Sequence, residues 1–269
     1  MASTEDDPAL PNTAHLRHHH ARNPRTELHV VQYSGGIGSW AAAQRVAARY
    51  GTDRLVLLFA DVLIEDPDLY RWLDDSSARL GVPITRVADG RTPWQVFADA
   101  RYLGNSRIAP CTTALKIAPC RRWLDTHADP ATTTLHIGLD TSPRDRRRAP
   151  AIAAGWTPWH VHFPLLSPPH LSKDALLRWA RQMGLSTPRL YDLGLPHNNC
   201  GGTCVRAGKH QWARVLDILP EHFAAAEAAE QQLRKQLGDV TILTEQIDRI
   251  RHRLTLTQLR ERLAAGGSP

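Results

Sequence analysis

The chain has 269 residues, is 42% hydrophobic and 22% charged, and carries a formal net charge of +6. This length and apolar content suit one sizeable α/β core with an extension and exclude a fibrous or wholly disordered chain. No apolar run reaches signal-peptide or membrane length, so a soluble, cytoplasmic protein with no membrane partner is expected, and the excess of arginine suits a polyanionic partner.

In chain order, residues 1–27 are polar, include His18, His19 and His20, and read as a disordered tail. Residues 28–33 read as a strand and 39–50 as a helix. Between them stands Tyr33-Ser34-Gly35-Gly36-Ile37-Gly38-Ser39-Trp40. Paired glycines let the backbone turn tightly and approach a ligand. The unpartnered N–H groups of the following helix carry partial positive charge, and Ser34 and Ser39 add hydroxyls. Together these make a cradle for a phosphate chain. The segment is neither G-x-x-x-x-G-K-[ST] nor G-x-G-x-x-G, the two commonest nucleotide motifs.

Residues 54–60 form a continuous apolar strand ending at Asp61, as in a parallel sheet covered on both faces. A helix over 68–80, a strand over 83–88 and a helix over 92–101 follow. Strands are expected at 132–139 and 161–164, and a helix at 172–183. Repeated β-α units predict a doubly wound, mostly parallel α/β sheet, with ligands at the strands' C-terminal ends. Ser34, Asp61 and Asp140 all fall there. Trp40 and Trp94 read as core residues. From about residue 211 helical patterns take over (212–219, 224–237 and, with breaks, 240–263), with no strand signal. The expected organisation is therefore a tail over 1–27, a nucleotide-binding domain over 28–210 and a helical extension over 211–269, through which the chain could pair as a homodimer.

Four cysteines remain: Cys111, Cys120, Cys200 and Cys204. In a reducing compartment they point to metal or redox chemistry rather than disulfides. Cys200-Gly201-Gly202-Thr203-Cys204 lets two thiols turn toward one centre. Nine helical steps of about 100° would set Cys120 opposite Cys111, so Cys111 is the expected third ligand and Cys120 is not. Gly138-Leu139-Asp140 leads into a basic run from Arg144 to Arg148.

The glycine loop resembles the S-G-G-x-x-S pyrophosphate loop of the adenine nucleotide alpha-hydrolase (PP-loop) superfamily. Cys111 to Pro119, with Lys116, resembles the C-x-x-x-x-K-x-x-P segment of phosphoadenosine and adenosine phosphosulfate reductases. Pro164-Leu165, Ser172-Lys173-Asp174 and Leu190-Tyr191-Asp192-Leu193-Gly194 resemble their P-L … K-x-D … L-Y-D-x-G passage, and Asp61 matches their F-x-D-T segment. The resemblance implies a PP-loop fold with nucleotide at Ser34, Gly35, Gly36, Gly38, Ser39, Asp61 and Gly138. It assigns Cys111, Lys116 and Arg144 to the reacting centre. Departures redirect the activity. Ile37 and Gly38 replace the family's lysine and aspartate, and no E-C-G-[IL]-H nucleophile segment follows residue 204. Three cysteines, Cys111, Cys200 and Cys204, instead match the superfamily's thiolating enzymes.

The expected function is therefore an ATP- and Mg2+-dependent sulfurtransferase that adenylates a carbonyl of tRNA, DNA or a small purine-like acceptor. A sulfide donor and a 4Fe-4S cluster, or alternatively zinc, complete it. A sulfonucleotide reductase and a noncatalytic nucleotide-binding or DNA-modification protein with structural zinc are the rivals.

Overall fold

The computed structural model describes residues 27–269; the expected tail, with His18 to His20, lies outside them apart from Glu27. Five strands form one sheet: β1 (Leu28–Gln32), β2 (Leu55–Asp61), β3 (Ile84–Ala88), β4 (Thr133–His136) and β5 (His160–His162). Their order is β3-β2-β1-β4-β5, and every pairing is parallel. The expected parallel α/β sheet is thus present. β1 is central because both its faces are apolar: Val30 and Val31 are each 0% exposed.

Helices cover both faces. On one, α1 (Ile37–Tyr50), α2 (Pro67–Leu80) and α6 (Lys173–Gln182) bury Trp40, Trp72 and Trp179 against β1 and β2. Trp40 is fully buried, as its sequence context predicts. On the other, α4 (Ala118–His127) and the segment after α5 (Pro143–Gly155) bury Cys120, Leu124, Trp156 and Trp159. The basic run from Arg144 to Arg148 belongs to α5, capped by Ser142, which accepts from Asp145 N. Chain order reverses between β1 and β4, the position beside which parallel sheets bind ligands.

A second core joins α3 (Pro93–Asp99) and α7 (Arg189–Asp192) to the C-terminal elements α8 (Lys209–Ile218), α9 (Pro220–Leu237) and α10 (Leu256–Ala264). The expected helix over 240–263 is incorrect. An antiparallel hairpin, β6 (Leu243–Ile247) and β7 (Ile250–Leu254), occupies most of it. Asp248 and Arg249 turn the chain with φ of +49° and +64°. Such turns usually carry glycine or asparagine, so the Asp-Arg pair gave no turn signal. The hairpin hangs on Glu230, fully buried, which accepts from Ile242 N at 2.9 Å and Leu256 N at 2.7 Å. Replacing Glu230 with alanine would orphan two N–H groups, and denaturant unfolding should show a loss of about 3 kcal/mol. Glu230→Gln, which keeps one acceptor, should lose about half of that.

Candidate active site

The loop after β1 forms the first half of the site. Gly35 takes φ +76°, turning the chain so that α1 starts at Ile37. Ser39 Oγ donates to Gly36 O at 2.8 Å and lies 3.4 Å from Ser34 Oγ. No acidic side chain occupies the first turn of α1, leaving its positive end open to an anion. One donor is taken: Ile37 N donates to Tyr191 Oη at 3.0 Å. Tyr191 is held there because Arg189 on α7 grips Asp66 through Nε at 2.8 Å and Nη2 at 2.7 Å.

Gly138, just beyond β4, closes the cradle. A Cβ there would lie 2.6 Å from Gly38 O and 2.9 Å from Ser39 N. Only glycine lets the two loops touch. Gly138 therefore stands beside the loop that holds Ser34, Gly35, Gly36, Gly38 and Ser39.

Asp61 ends β2, fully buried. It accepts from Leu63 N at 2.8 Å and from Tyr70 Oη at 3.1 and 3.2 Å, and it pairs with Arg86. Its oxygens are committed to protein donors, and the adjacent cation is a guanidinium.

The second half is a thiol cluster. Cys111 precedes a π-helical segment, Thr112–Ile117, that runs into α4. Such wide turns occur frequently at functional sites, and this one carries Lys116 toward the cysteines. Lys116 Nζ lies 3.9 Å from Cys200 Sγ. Cys111, Cys200 and Cys204 share one small apolar cluster with Val62, Val96 and Leu115. Cys120 belongs instead to the core under α4, where burial pushes its thiol up to about 12. The structure therefore separates it from the other three.

Cys200 takes φ +57°, followed by Gly201 at +55° and Gly202 at +83°. A Cβ on Gly201 would lie 2.9 Å from Ile64 O, and one on Gly202 2.8 Å from Leu195 Cδ1. The left-handed run folds the loop so that the Cys200 and Cys204 thiols influence each other's ionisation. That coupling depresses the Cys204 thiol and raises Cys200, with Lys116 and the Arg206 N–H favouring the Cys204 thiolate. Cys200 is buried and Cys204 half-buried. Burial pushes Cys111 up to about 11. Burial would also lower Lys116, but Cys200, Glu65, Cys204 and Cys111 outweigh it and hold the ammonium above the ordinary lysine value.

Several site residues carry no sequence motif. Glu65 accepts from Cys200 N through Oε2, while its buried Oε1 has no partner. Burial, then Cys200, pushes its carboxyl up to about 8. Asn198 Nδ2 donates to Gly35 O at 2.9 Å and Asn199 Nδ2 to Ser34 O at 2.7 Å, tying the cysteine loop to the glycine loop. His222 Nδ1 lies 2.8 Å from Gly201 O. Only a local signal could have flagged them: Asn198 and Asn199 directly precede Cys200. Arg144 stands in the first turn of α5. Burial lowers His197, and Lys173 and Arg144 lower it further.

Three thiols beside an ammonium have the donor chemistry of an iron–sulfur or zinc site. Among the described residues, however, no three His, Cys, Asp or Glu side chains converge as a metal-ion site, and all four cysteines are free thiols.

No family model matches the chain, and no curated protein matches it. Among solved structures, phosphoadenylyl-sulfate (PAPS) reductase from Candida auris, in a phosphate complex, is similar at 15% identity, covering 62% of this chain and 78% of that one, with a TM-score of 0.43. No helix among the described residues is long and apolar enough to cross a membrane.

Proposed function

We propose that the chain is an adenine-nucleotide enzyme of sulfur chemistry, and that its reaction is reduction of a sulfonucleotide by the Cys200–Cys204 thiol pair. The observation that carries this is the tie between the two halves of the site: the asparagines that precede Cys200 bond the carbonyls of Ser34 and Gly35. A nucleotide phosphate in the cradle would bring its distal group to the thiols.

The commitment of Asp61 favours the same reading. ATP-dependent adenylation needs a cation on the triphosphate, and magnesium takes oxygen ligands. Here Asp61, the carboxylate at the end of β2, is committed to Arg86 and Tyr70. A sulfonucleotide needs no pyrophosphate leaving group.

In the proposed reaction the half-buried Cys204 thiolate attacks the sulfonate sulfur. The sulfur–oxygen bond to the phosphate breaks, and the nucleotide leaves with that electron pair as a phosphate oxyanion. Cys204 then carries a sulfo group. Cys200, losing its proton, attacks the Cys204 sulfur, a disulfide forms and sulfite departs. Two thiols are oxidised as the sulfur is reduced by two electrons, and an external dithiol restores the pair. Lys116 stabilises the thiolate and the incoming sulfonate. The nucleophile missing after residue 204 is thus supplied within the cysteine loop.

A second reading keeps the sulfurtransferase, favoured by the third thiol, Cys111, beside the same ammonium. Cys111, Cys200 and Cys204 would then hold a 4Fe-4S or zinc centre that binds sulfide, ATP would adenylate the acceptor, and Arg144 with its neighbours would face a nucleic-acid phosphate. Single-turnover assays separate the two. Reduced protein with adenosine phosphosulfate or its 3′-phosphate should release one sulfite per chain and form the Cys200–Cys204 disulfide. ATP with sulfide yielding pyrophosphate and a thiolated base, without sulfite from either sulfonucleotide, would replace this reading with the second.

In either case Ser34→Ala with Ser39→Ala should weaken nucleotide binding, measured by calorimetry, by about 1.5–3 kcal/mol for each charge-assisted bond lost. Unchanged affinity would place the phosphates elsewhere.

A further inference from the structure

Far from the cysteines, one face of the sheet carries a row of histidines whose positions come from strand register alone. His136 on β4 pairs in register with His162 on β5. His29 on β1 stands opposite Thr134, two residues from His136 on the same face. The rings connect: His29 Nδ1 to His136 Nε2 at 3.0 Å, and His136 Nδ1 to His162 Nδ1 at 3.2 Å. His136 is fully buried, His29 is 5% exposed, and Tyr50 from the end of α1 stacks on His29 at 3.9 Å. The outer end of the row opens on a cavity of about 540 Å³ lined by Glu27, Arg49, Tyr50, Thr132, His160 and His162.

The proton capacity of this row is limited. Each of the two ring–ring contacts accommodates one hydrogen, because two N–H groups cannot face each other. The outer nitrogens, His29 Nε2 and His162 Nε2, accommodate one each. The row therefore holds the three hydrogens of three neutral rings and one more. A second added proton sets N–H against N–H.

The surrounding charges act in the same direction. Burial lowers all three histidines, His136 to about 3. Arg49 opposes protonation of each, and His160 opposes it at His136 and His162. Glu27 alone favours it, at His29, and Glu27 already accepts from Thr134 Oγ1 at 2.8 Å.

We propose that His29, His136 and His162 form a pH-sensitive latch that clamps β1, β4 and β5 together while neutral and releases them in acid. The latch bears on the nucleotide cradle. β1 leads directly into the Ser34 loop, and His136 is two residues before Gly138, whose Cβ position touches Gly38 and Ser39. The proposal is independent of the reaction assigned to the site.

The sign follows from linkage. All three pKa values are depressed in the folded chain, so the unfolded chain binds more protons below its ordinary histidine value of about 6.5, and stability is lost as pH falls from there. Carboxylates with lowered values, such as Glu245, act below about 4.5. His197 adds to the loss in the same window, and Glu65, whose value is raised, opposes it.

A difference between proteins removes those two contributions. Urea unfolding of the full chain would be followed from pH 7.5 to 5.0 for wild type and His136→Gln, which cannot titrate. Between pH 6 and 5 the wild-type unfolding constant should rise about tenfold more than that of the variant, one proton's worth per pH unit. Equal pH slopes would overturn the latch. Histidine nitrogen NMR on the wild type gives a second reading should the variant fail to fold. The ring nitrogens of His136 should keep neutral shifts at pH 5.5, and titration of the native ring near 6.5 would overturn the proposal.

Discussion

Cys204→Ser is expected to abolish sulfite release while leaving nucleotide binding within about twofold. The hydroxyl keeps the side chain's size but ionises far above neutral pH, so it cannot act as the nucleophile. The loss should exceed about a thousandfold, the scale on which removing an activated nucleophile acts. Cys200→Ser should behave differently. Cys204 remains to attack once, but no partner thiol displaces sulfite, so turnover stops after the first half-reaction. Cys120→Ser should retain full activity, because Cys120 packs under α4 with Leu124 and Trp156 rather than beside Lys116. Alkylation rates should rank the thiols similarly: Cys204 fastest at neutral pH, with its value depressed by Cys200, and Cys111 and Cys120 slower, with values raised by burial.

Gly138→Val is the second large effect, and it acts through the backbone alone. A Cβ at this position meets Gly38 O at 2.6 Å, Gly38 C at 2.7 Å and Ser39 N at 2.9 Å. None of these atoms can swing aside as a flexible side chain would. Either β4 or the glycine loop must shift, at about 3 kcal/mol or more by the scale of overpacked sites. Under the proposed function the loop amides form the phosphate cradle, so nucleotide affinity should fall at least about a hundredfold, as 1.4 kcal/mol is a factor of ten. Gly208→Ala is the control: no atom lies within 4 Å of its Cβ position. It should bind nucleotide like wild type in calorimetry.

The parts of the site that lie close together in sequence were legible before the structure. The strand, glycine loop and helix over 28–50 follow from one apolar run and two adjacent glycines. Asp61 declares itself by ending a continuous apolar strand. Spacing and resemblance point to Cys111, Lys116, Cys200 and Cys204, and the fold places the three thiols in one cluster with Lys116 beside Cys200. What stayed hidden depends on contacts between distant segments. Glu65 lies in an ordinary Leu-Ile-Glu-Asp stretch, and its weight comes from Cys200, 135 positions away. Tyr191 reaches Ile37 from 154 positions away, through a helix held by Arg189 and Asp66. The histidine row exists only once β1, β4 and β5 take their register. The hairpin of β6 and β7 escaped for a local reason. Asp248 and Arg249 adopt positive φ without glycine, and the alanine-rich helix before them extends the helical pattern toward the turn.

The most direct test of the account uses Cys200→Ser protein, reduced and mixed with adenosine phosphosulfate or its 3′-phosphate, followed by peptide mass analysis. The account predicts one nucleotide released per chain and one sulfo group retained on the peptide that carries Cys204. A Cys204 peptide of unchanged mass, together with pyrophosphate and a thiolated acceptor formed by the wild-type protein from ATP and sulfide, would contradict it.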